Sequence, residues 1–293
     1  MSHKILITGA SGGFGELTVK TLLKNGHSVV GTMRNLATKN KDIAEELTGL
    51  GAKIVEMDVT SDESVNKAVA ESIELLGGLD VVVNNAGVGV LGIQENFTID
   101  DFKRLFDINV FGVQRVNRAA LPFLRKQGSG LLLHVSSLLG RMALPFYGPY
   151  NASKWALEAL AENYRLELSG FGVDSCLVEP GGYPTGFFNN LIFPSDESQN
   201  ESYGDMIHAP KQAFESFEGA LADNPAQNPQ DVADAIAKVI ETPAGERPMR
   251  TVVDKMGMGT HIHPYNGQLD QIHEGILTAF GMGDMLKLKV ASN

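Results

Sequence analysis

Lys4-Ile5-Leu6-Ile7-Thr8-Gly9-Ala10-Ser11-Gly12-Gly13-Phe14-Gly15 decides how the rest of the chain is read. A short apolar run, sized for a strand buried on both faces, passes directly into a glycine cluster and then into a helical pattern. At such a junction glycine lets backbone amides approach a pyrophosphate, and the helix N-terminus adds its oriented N–H groups. The spacing is T-G-x-x-x-G-x-G; by itself it marks a tight strand-to-helix turn as readily as a ligand loop.

The same alternation recurs along the 293 residues. Val- and Ile-rich strands are expected at Lys4–Thr8, Ser28–Thr32, Lys53–Met57, Asp80–Val83, Gly130–Ser136, Asp174–Glu179 and Arg250–Val253. Helical patterns lie at Gly13–Asn25, Lys41–Leu50, Ser61–Leu76, Ile99–Lys126, Tyr150–Gly170 and Pro229–Glu241. Thr60-Ser61-Asp62-Glu63 spells a capping box, and Pro229 suits a first helical turn. The pattern predicts an α/β fold, a doubly wound three-layer sandwich with a seven-stranded parallel sheet, as one domain over residues 1–293. Residues 183–228 break the regularity with four prolines among several phenylalanines and are expected to form a substrate-binding loop or lid. Residues 255–293, which include His261-Ile262-His263, read as a C-terminal extension.

Composition narrows the function classes. A net charge of −11 argues against nucleic acid, whose binding needs concentrated Lys and Arg. No apolar run approaches the roughly 20 residues of a membrane span, so no membrane partner is expected. The single cysteine, Cys176, leaves no thiolate set for a metal and fits a reducing compartment. The His261/His263 pair lacks further ligands, and no metal is expected. With no secretory leader visible, the expected address is the cytoplasm, and the Asn-x-Ser/Thr triplets at Asn96, Asn151 and Asn200 are read as chance.

Chemistry enters at Tyr150-Asn151-Ala152-Ser153-Lys154, which puts a phenol and an ammonium on one helix face. A phenol titrates near 10, and a neighbouring cation favours its phenolate, moving it toward working pH. Ser137 lies thirteen residues earlier at the end of an apolar strand; its rival Ser136 faces the other way, and spacing selects Ser137. After the second strand, where an acidic residue would bind a ribose 2′-hydroxyl, stands Gly31-Thr32-Met33-Arg34-Asn35 with no carboxylate. A guanidinium there suits a 2′-phosphate, so NADP(H) is the expected cofactor; the plainer reading is that Arg34 opens a solvated helix.

In order and spacing, these motifs resemble the short-chain dehydrogenase/reductase family over residues 4 to about 185. The resemblance implies a Rossmann-like fold and an NADP(H)-dependent oxidoreductase that interconverts carbonyl compounds and alcohols by hydride transfer. It implies that Tyr150 exchanges a proton with the substrate oxygen, Ser137 holds and polarises that oxygen, Lys154 also binds the nicotinamide ribose, and Asn109 completes a proton relay through water. An Asn in a helix can also simply bend or cap it. Cofactor contacts are implied at Gly9, Ser11, Gly13, Phe14 and Gly15, at Arg34, at Asp58 and Val59, at Asn85, Ala86 and Gly87, at Tyr150 and Lys154, and at Pro180, Gly181 and Thr185. Leu144, Phe146, Tyr147, Phe187, Phe188 and Met206 suggest a bulky apolar substrate. A homodimer or homotetramer is expected through the helices Ile99–Lys126 and Tyr150–Gly170. A sugar-nucleotide epimerase shares Y-x-x-x-K but carries a shorter glycine loop and a longer substrate domain. The competing class is an NADP(H)-binding sensor without turnover, against which the intact Ser137, Tyr150, Lys154 set weighs.

Overall fold

Successive side chains of a strand point to opposite faces, and in β1 (Lys4–Thr8) both faces are apolar: Ile5 and Ile7 enter one core and Leu6 another. β4 (Val81–Asn84) and β5 (Gly130–Val135) divide likewise, Val81, Val83, Leu131 and Leu133 to the first core, Val82 and Leu132 to the second. Strands buried on two sides demand helices on two sides.

The computed structural model describes residues 2–290; Met1 and residues 291–293, which the one-domain and C-terminal-extension readings include, lie outside the described residues. With β2 (Ser28–Met33), β3 (Lys53–Glu56), β6 (Val173–Pro180) and β7 (Arg250–Val253), the strands form one parallel sheet in the order β3-β2-β1-β4-β5-β6-β7. This is the expected seven-stranded, doubly wound Rossmann-like arrangement. α1 (Gly13–Lys24), α2 (Lys41–Gly49) and α9 (Gln230–Glu241) cover one face. α3 (Asp62–Leu76), α5 (Gly112–Gln127) and the end of α6 (Gly148–Leu168) cover the other. The chain reverses direction across the sheet between β1 and β4, and the crevice at their C-terminal ends is where such sheets bind ligands. Among the described residues no helix is long and apolar enough to cross a membrane.

Several local expectations change. The single helix Ile99–Lys126 is broken: α4 (Ile99–Phe106) widens into a π turn at Asp107–Phe111 before α5 begins. Such widenings concentrate at functional sites, and this one holds Asn109. The helix after β3 is capped by Ser61, whose hydroxyl accepts the Ser64 N–H at 3.3 Å, because Thr60 turns its hydroxyl to Asp58 at 2.8 Å. A reciprocal capping box forms instead at Thr98 and Asp101. The segment after Tyr183 contains α7 (Asn200–Tyr203) and α8 (Ala209–Ala222), and the C-terminal region contains the 21-residue α10 (Gly259–Ala279).

Candidate active site

The glycines between β1 and α1 serve two separate purposes. Gly9, at φ +69°, lies where a Cβ would come within 2.9 Å of Ala86 Cα, and a Cβ on Gly15 would meet Gly9 O at 2.2 Å and Asn85 Nδ2 at 2.6 Å. These two glycines let the β1 and β4 loops close on one another. Asn85 locks the closure, its amide donating to the carbonyls of Thr8 and Gly9 at 3.0 Å each, while Thr8 Oγ1 accepts the N–H groups of Asn85 and Ala86. Gly12, the N-cap of α1, has no side-chain cap, and nothing stands within 4 Å of its Cβ position. The first-turn N–H groups of α1, beside Ser11 and Gly13, are thus open to an anion. Gly15→Ala is expected to cost about 1–3 kcal/mol through backbone overpacking. Gly12→Ala should melt like wild type yet bind dinucleotide more weakly; thermal melts beside a fluorescence titration check both.

Across the crevice Ser136-Ser137 follow the end of β5, and α6 carries the Tyr150–Lys154 turn near its start. Ser137 opens a one-turn 3-10 helix, its hydroxyl accepting the Leu139 N–H at 3.1 Å. Ser136 faces Glu158 across Gly140, so the two serines diverge as strand alternation requires. Burial pushes the Tyr150 phenol up to about 12, with the Ser137 side chain acting in the opposite direction. The Lys154 Nζ lies 5.6 Å from the ring centroid. Lys154 donates to the Val135 carbonyl at 2.9 Å, and burial lowers its ammonium to about 8 against the pull of Glu158. Asn109 accepts the Val88 N–H at 2.9 Å and donates to Val88 O and Ser153 Oγ. A Cβ on Gly87 would lie 3.4 Å from Asn109 Oδ1 and 3.8 Å from Lys154 Nζ, so these two side chains flank that glycine. His134 is buried and held neutral, its imidazole lowered to about 3 by burial, as a packed residue would be.

On the β2–β3 side, Arg34 is exposed and its Nη1 lies 4.0 Å from Asp58. The reading that no carboxylate stands near Arg34 is therefore wrong in space, because neighbouring parallel strands end side by side. Burial alone would raise the Asp58 carboxyl; hydrogen bonds from the Thr60 N–H and hydroxyl, with Arg34 and Arg115, bring it below its usual value. Val59 packs with the second core and gives its carbonyl to Arg115. A cleft of about 450 Å³ runs from Arg34 and Thr60 past Val88 and Ile108 to Leu191.

A second cavity, about 290 Å³, opens over Ser137 and Tyr150 and is walled by Leu144, Phe146, Tyr147, Phe187, Phe188 and Phe217. Phe187 lies edge-on to Tyr150 with centroids 5.9 Å apart. Phe14 and Tyr183 close the glycine-loop side, edge to face at 5.6 Å. α8 supplies Phe217, whose ring fills the place a Gly182 Cβ would take. Met206 is exposed and does not line the cavity, against expectation. Thr185 approaches Gly13, joining the Pro180-Gly181 turn to the glycine loop. Sequence reasoning missed Thr8, Ser153 and Phe217; only Thr8 carried a signal, inside the Thr-Gly pair. Among the described residues no group of three or more His, Cys, Asp or Glu could hold a metal ion.

The family model described as short chain dehydrogenase matches residues 3–192, which contain the glycine loop, Ser137, Tyr150 and Lys154. The chain belongs to the short-chain dehydrogenase family. This short-chain dehydrogenase is 38% identical to 3-ketodihydrosphingosine reductase of Bacteroides thetaiotaomicron over 203 residues, 69% of this chain and 72% of that relative. It is 34% identical to retinol dehydrogenase 8 of Homo sapiens over 250 residues, 81% of this chain and 78% of the relative. A crystal structure of a short-chain dehydrogenase from Streptomyces avermitilis matches with a TM-score of 0.73 at 29% identity, covering 96% of this chain and 97% of that one. The chain is therefore an oxidoreductase, and its family binds nicotinamide cofactors. α8, α9 and α10 lie beyond the matched region.

Proposed function

We propose that this short-chain dehydrogenase reduces bulky apolar carbonyl compounds to alcohols with NADPH. One observation carries the reading: Tyr150, a proton donor kept protonated by burial, opens into a cavity walled by carbon. Ser11 to Gly13 and the N-terminus of α1 would hold the pyrophosphate, Arg34 the 2′-phosphate, Asp58, Val59 and Gly87 the adenosine side, and Lys154 the nicotinamide ribose. Pro180, Gly181 and Thr185 would border the carboxamide end, with Phe14 beside it. NADPH, when bound, supplies the hydride that reaches the carbonyl carbon.

Ser137 donates a hydrogen bond to the carbonyl oxygen and orients it toward Tyr150. Tyr150 gives its proton to that oxygen as negative charge develops there, and the product is a neutral alcohol. The phenolate left behind is stabilised by the Lys154 ammonium and regains its proton from solvent past Asn109. Asn109 serves this route by fixing Gly87 and Val88, since its amide is committed to protein partners. Residues 183–228 act as the lid, with Phe187 and Phe188 over the substrate. We place the enzyme in the cytoplasm as a homodimer or homotetramer, with exposed Phe111 and Trp155 as contact candidates, a state that analytical ultracentrifugation reads directly.

NADPH oxidation is to be followed with aryl, alicyclic and long-chain ketones against small polar sugars. Faster turnover of the apolar set supports the reading; faster turnover of sugars, or cofactor binding with no carbonyl reduced, overturns it. Arg34→Asp is expected to lower kcat/KM with NADPH about 10–100-fold and to raise it with NADH, the worth of one charge-assisted contact. Kinetics with both cofactors check this.

A further inference from the structure

Arg141 ends the loop that carries Ser137. That loop presses on α6 so closely that a Cβ on Gly140 would meet Ser136 Oγ at 2.9 Å, Glu158 Cγ at 3.0 Å and the Lys154 carbonyl oxygen at 3.2 Å. Arg141 is only 7% exposed, and a guanidinium so far from water needs built partners. Glu158 Oε2 at 3.7 Å and Glu179 Oε1 at 3.9 Å supply its charge partners, and α10, outside the region that the family model matches, supplies two more. Arg141 Nε donates to Asn266 Oδ1 at 2.9 Å, and its guanidinium lies over the Tyr265 ring at 5.0 Å. Asn266, itself 6% exposed, donates Nδ2 to Glu179 Oε2 at 2.6 Å, one residue before Pro180.

Arg250 of β7 completes the cluster, donating to Glu158 at 3.0 Å and to Asp270 of α10 at 3.0 Å, with Glu179 3.4 Å away. Glu158 sits one helical turn beyond Lys154. Two buried cations and two buried carboxylates, already paired by charge, are thus also bridged by one neutral side chain from the C-terminal helix. A primary amide can accept from an arginine and donate to a carboxylate at once, which alanine cannot.

We infer that Asn266 and Arg141 are positioning residues through which α10 fixes the Ser137 loop against the Lys154 helix, an inference that rests on the proposed carbonyl reduction. The C-terminal helix is then a working part of the active site. The amide bridge holds Arg141, Arg141 holds the end of the loop, and the loop sets where the Ser137 hydroxyl meets a carbonyl oxygen.

Asn266→Ala in the full chain tests this. Its kcat with the best ketone should fall about tenfold or more, as expected for a misplaced reacting group. Its Kd for NADPH, set across the crevice at the glycine loop, should change less than about twofold. Amide hydrogen exchange of Leu138 to Met142 should quicken about tenfold or more. Asn266→Gln, which keeps donor and acceptor, should recover part of both. A folded Asn266→Ala with wild-type kcat and wild-type exchange overturns the inference, as does a fall in kcat matched by an equal loss of NADPH affinity. Should Asn266→Ala not fold, Tyr265→Leu, at a 40% exposed position, must show the same split more mildly, and wild-type behaviour there overturns the inference. If the wild-type enzyme reduces no carbonyl, the functional reading fails, while exchange at Leu138 to Met142 still decides for or against the bridge.

Discussion

Tyr150→Phe is expected to lower kcat/KM for ketone reduction about 10²–10⁴-fold, the usual worth of a positioned general acid. The ring stays. It packs with Val90, Phe97, Leu105 and Ile192, and phenylalanine keeps those contacts, so the melting temperature should barely move. NADPH affinity should also persist, because the proposed pyrophosphate and 2′-phosphate contacts would lie at Gly12 and Arg34. Steady-state kinetics with a titration of NADPH fluorescence separates the two effects. Loss of cofactor binding together with turnover would show that the hydroxyl holds the dinucleotide and does not donate the proton.

Lys154→Met is expected to cost about 10²–10³ in turnover and yet to stabilise the fold at neutral pH. Burial lowers the folded pKa to about 8 from an unfolded 10.5. Below pH 8 both states hold the proton, and the fold bears the whole cost of a buried charge, about 3 kcal/mol. Between pH 8 and 10.5 the unfolded chain binds more protons, so stability rises with pH; above 10.5 the cost is gone. Methionine removes that cost but leaves the Val135 carbonyl without its Lys154 donor, a penalty of about 1–2 kcal/mol. A net gain of about 1–2 kcal/mol remains at pH 7 and should fade toward pH 10. Thermal melts of both proteins across that range measure it. In wild-type kinetics, kcat/KM for reduction should decline above pH 8 as Lys154 discharges, with Tyr150 still protonated, and this limb should be missing in the residual activity of Lys154→Met.

The parts of this architecture legible in sequence are those written by local pattern. Strands buried on two faces read as unbroken Val, Ile and Leu runs, and Tyr150 and Lys154 share a helix face whatever the rest of the chain does. Other features depend on what the fold brings together. Arg34 meets Asp58 only because β2 and β3 lie side by side. The π turn at Asp107–Phe111 leaves no trace in apolar periodicity, since it arises where Asn109 binds Val88 and Ser153. α10 buries Asn266 beside Gly259, Ile262 and Leu277, so part of its anchor is a polar amide that hydrophobic spacing cannot display. Met206 failed for the converse reason: an apolar residue in an irregular segment has no pattern to say which way it faces.

Transfer of deuterium from NADPH labelled at C4 of its pyridine ring to an aryl or alicyclic ketone, read in the alcohol by mass spectrometry, is the most direct measurement. Deuterium on the carbinol carbon with wild-type enzyme, and none above background with Tyr150→Phe, is the expected result. NADPH that binds but passes no label to any carbonyl compound in the panel would contradict it.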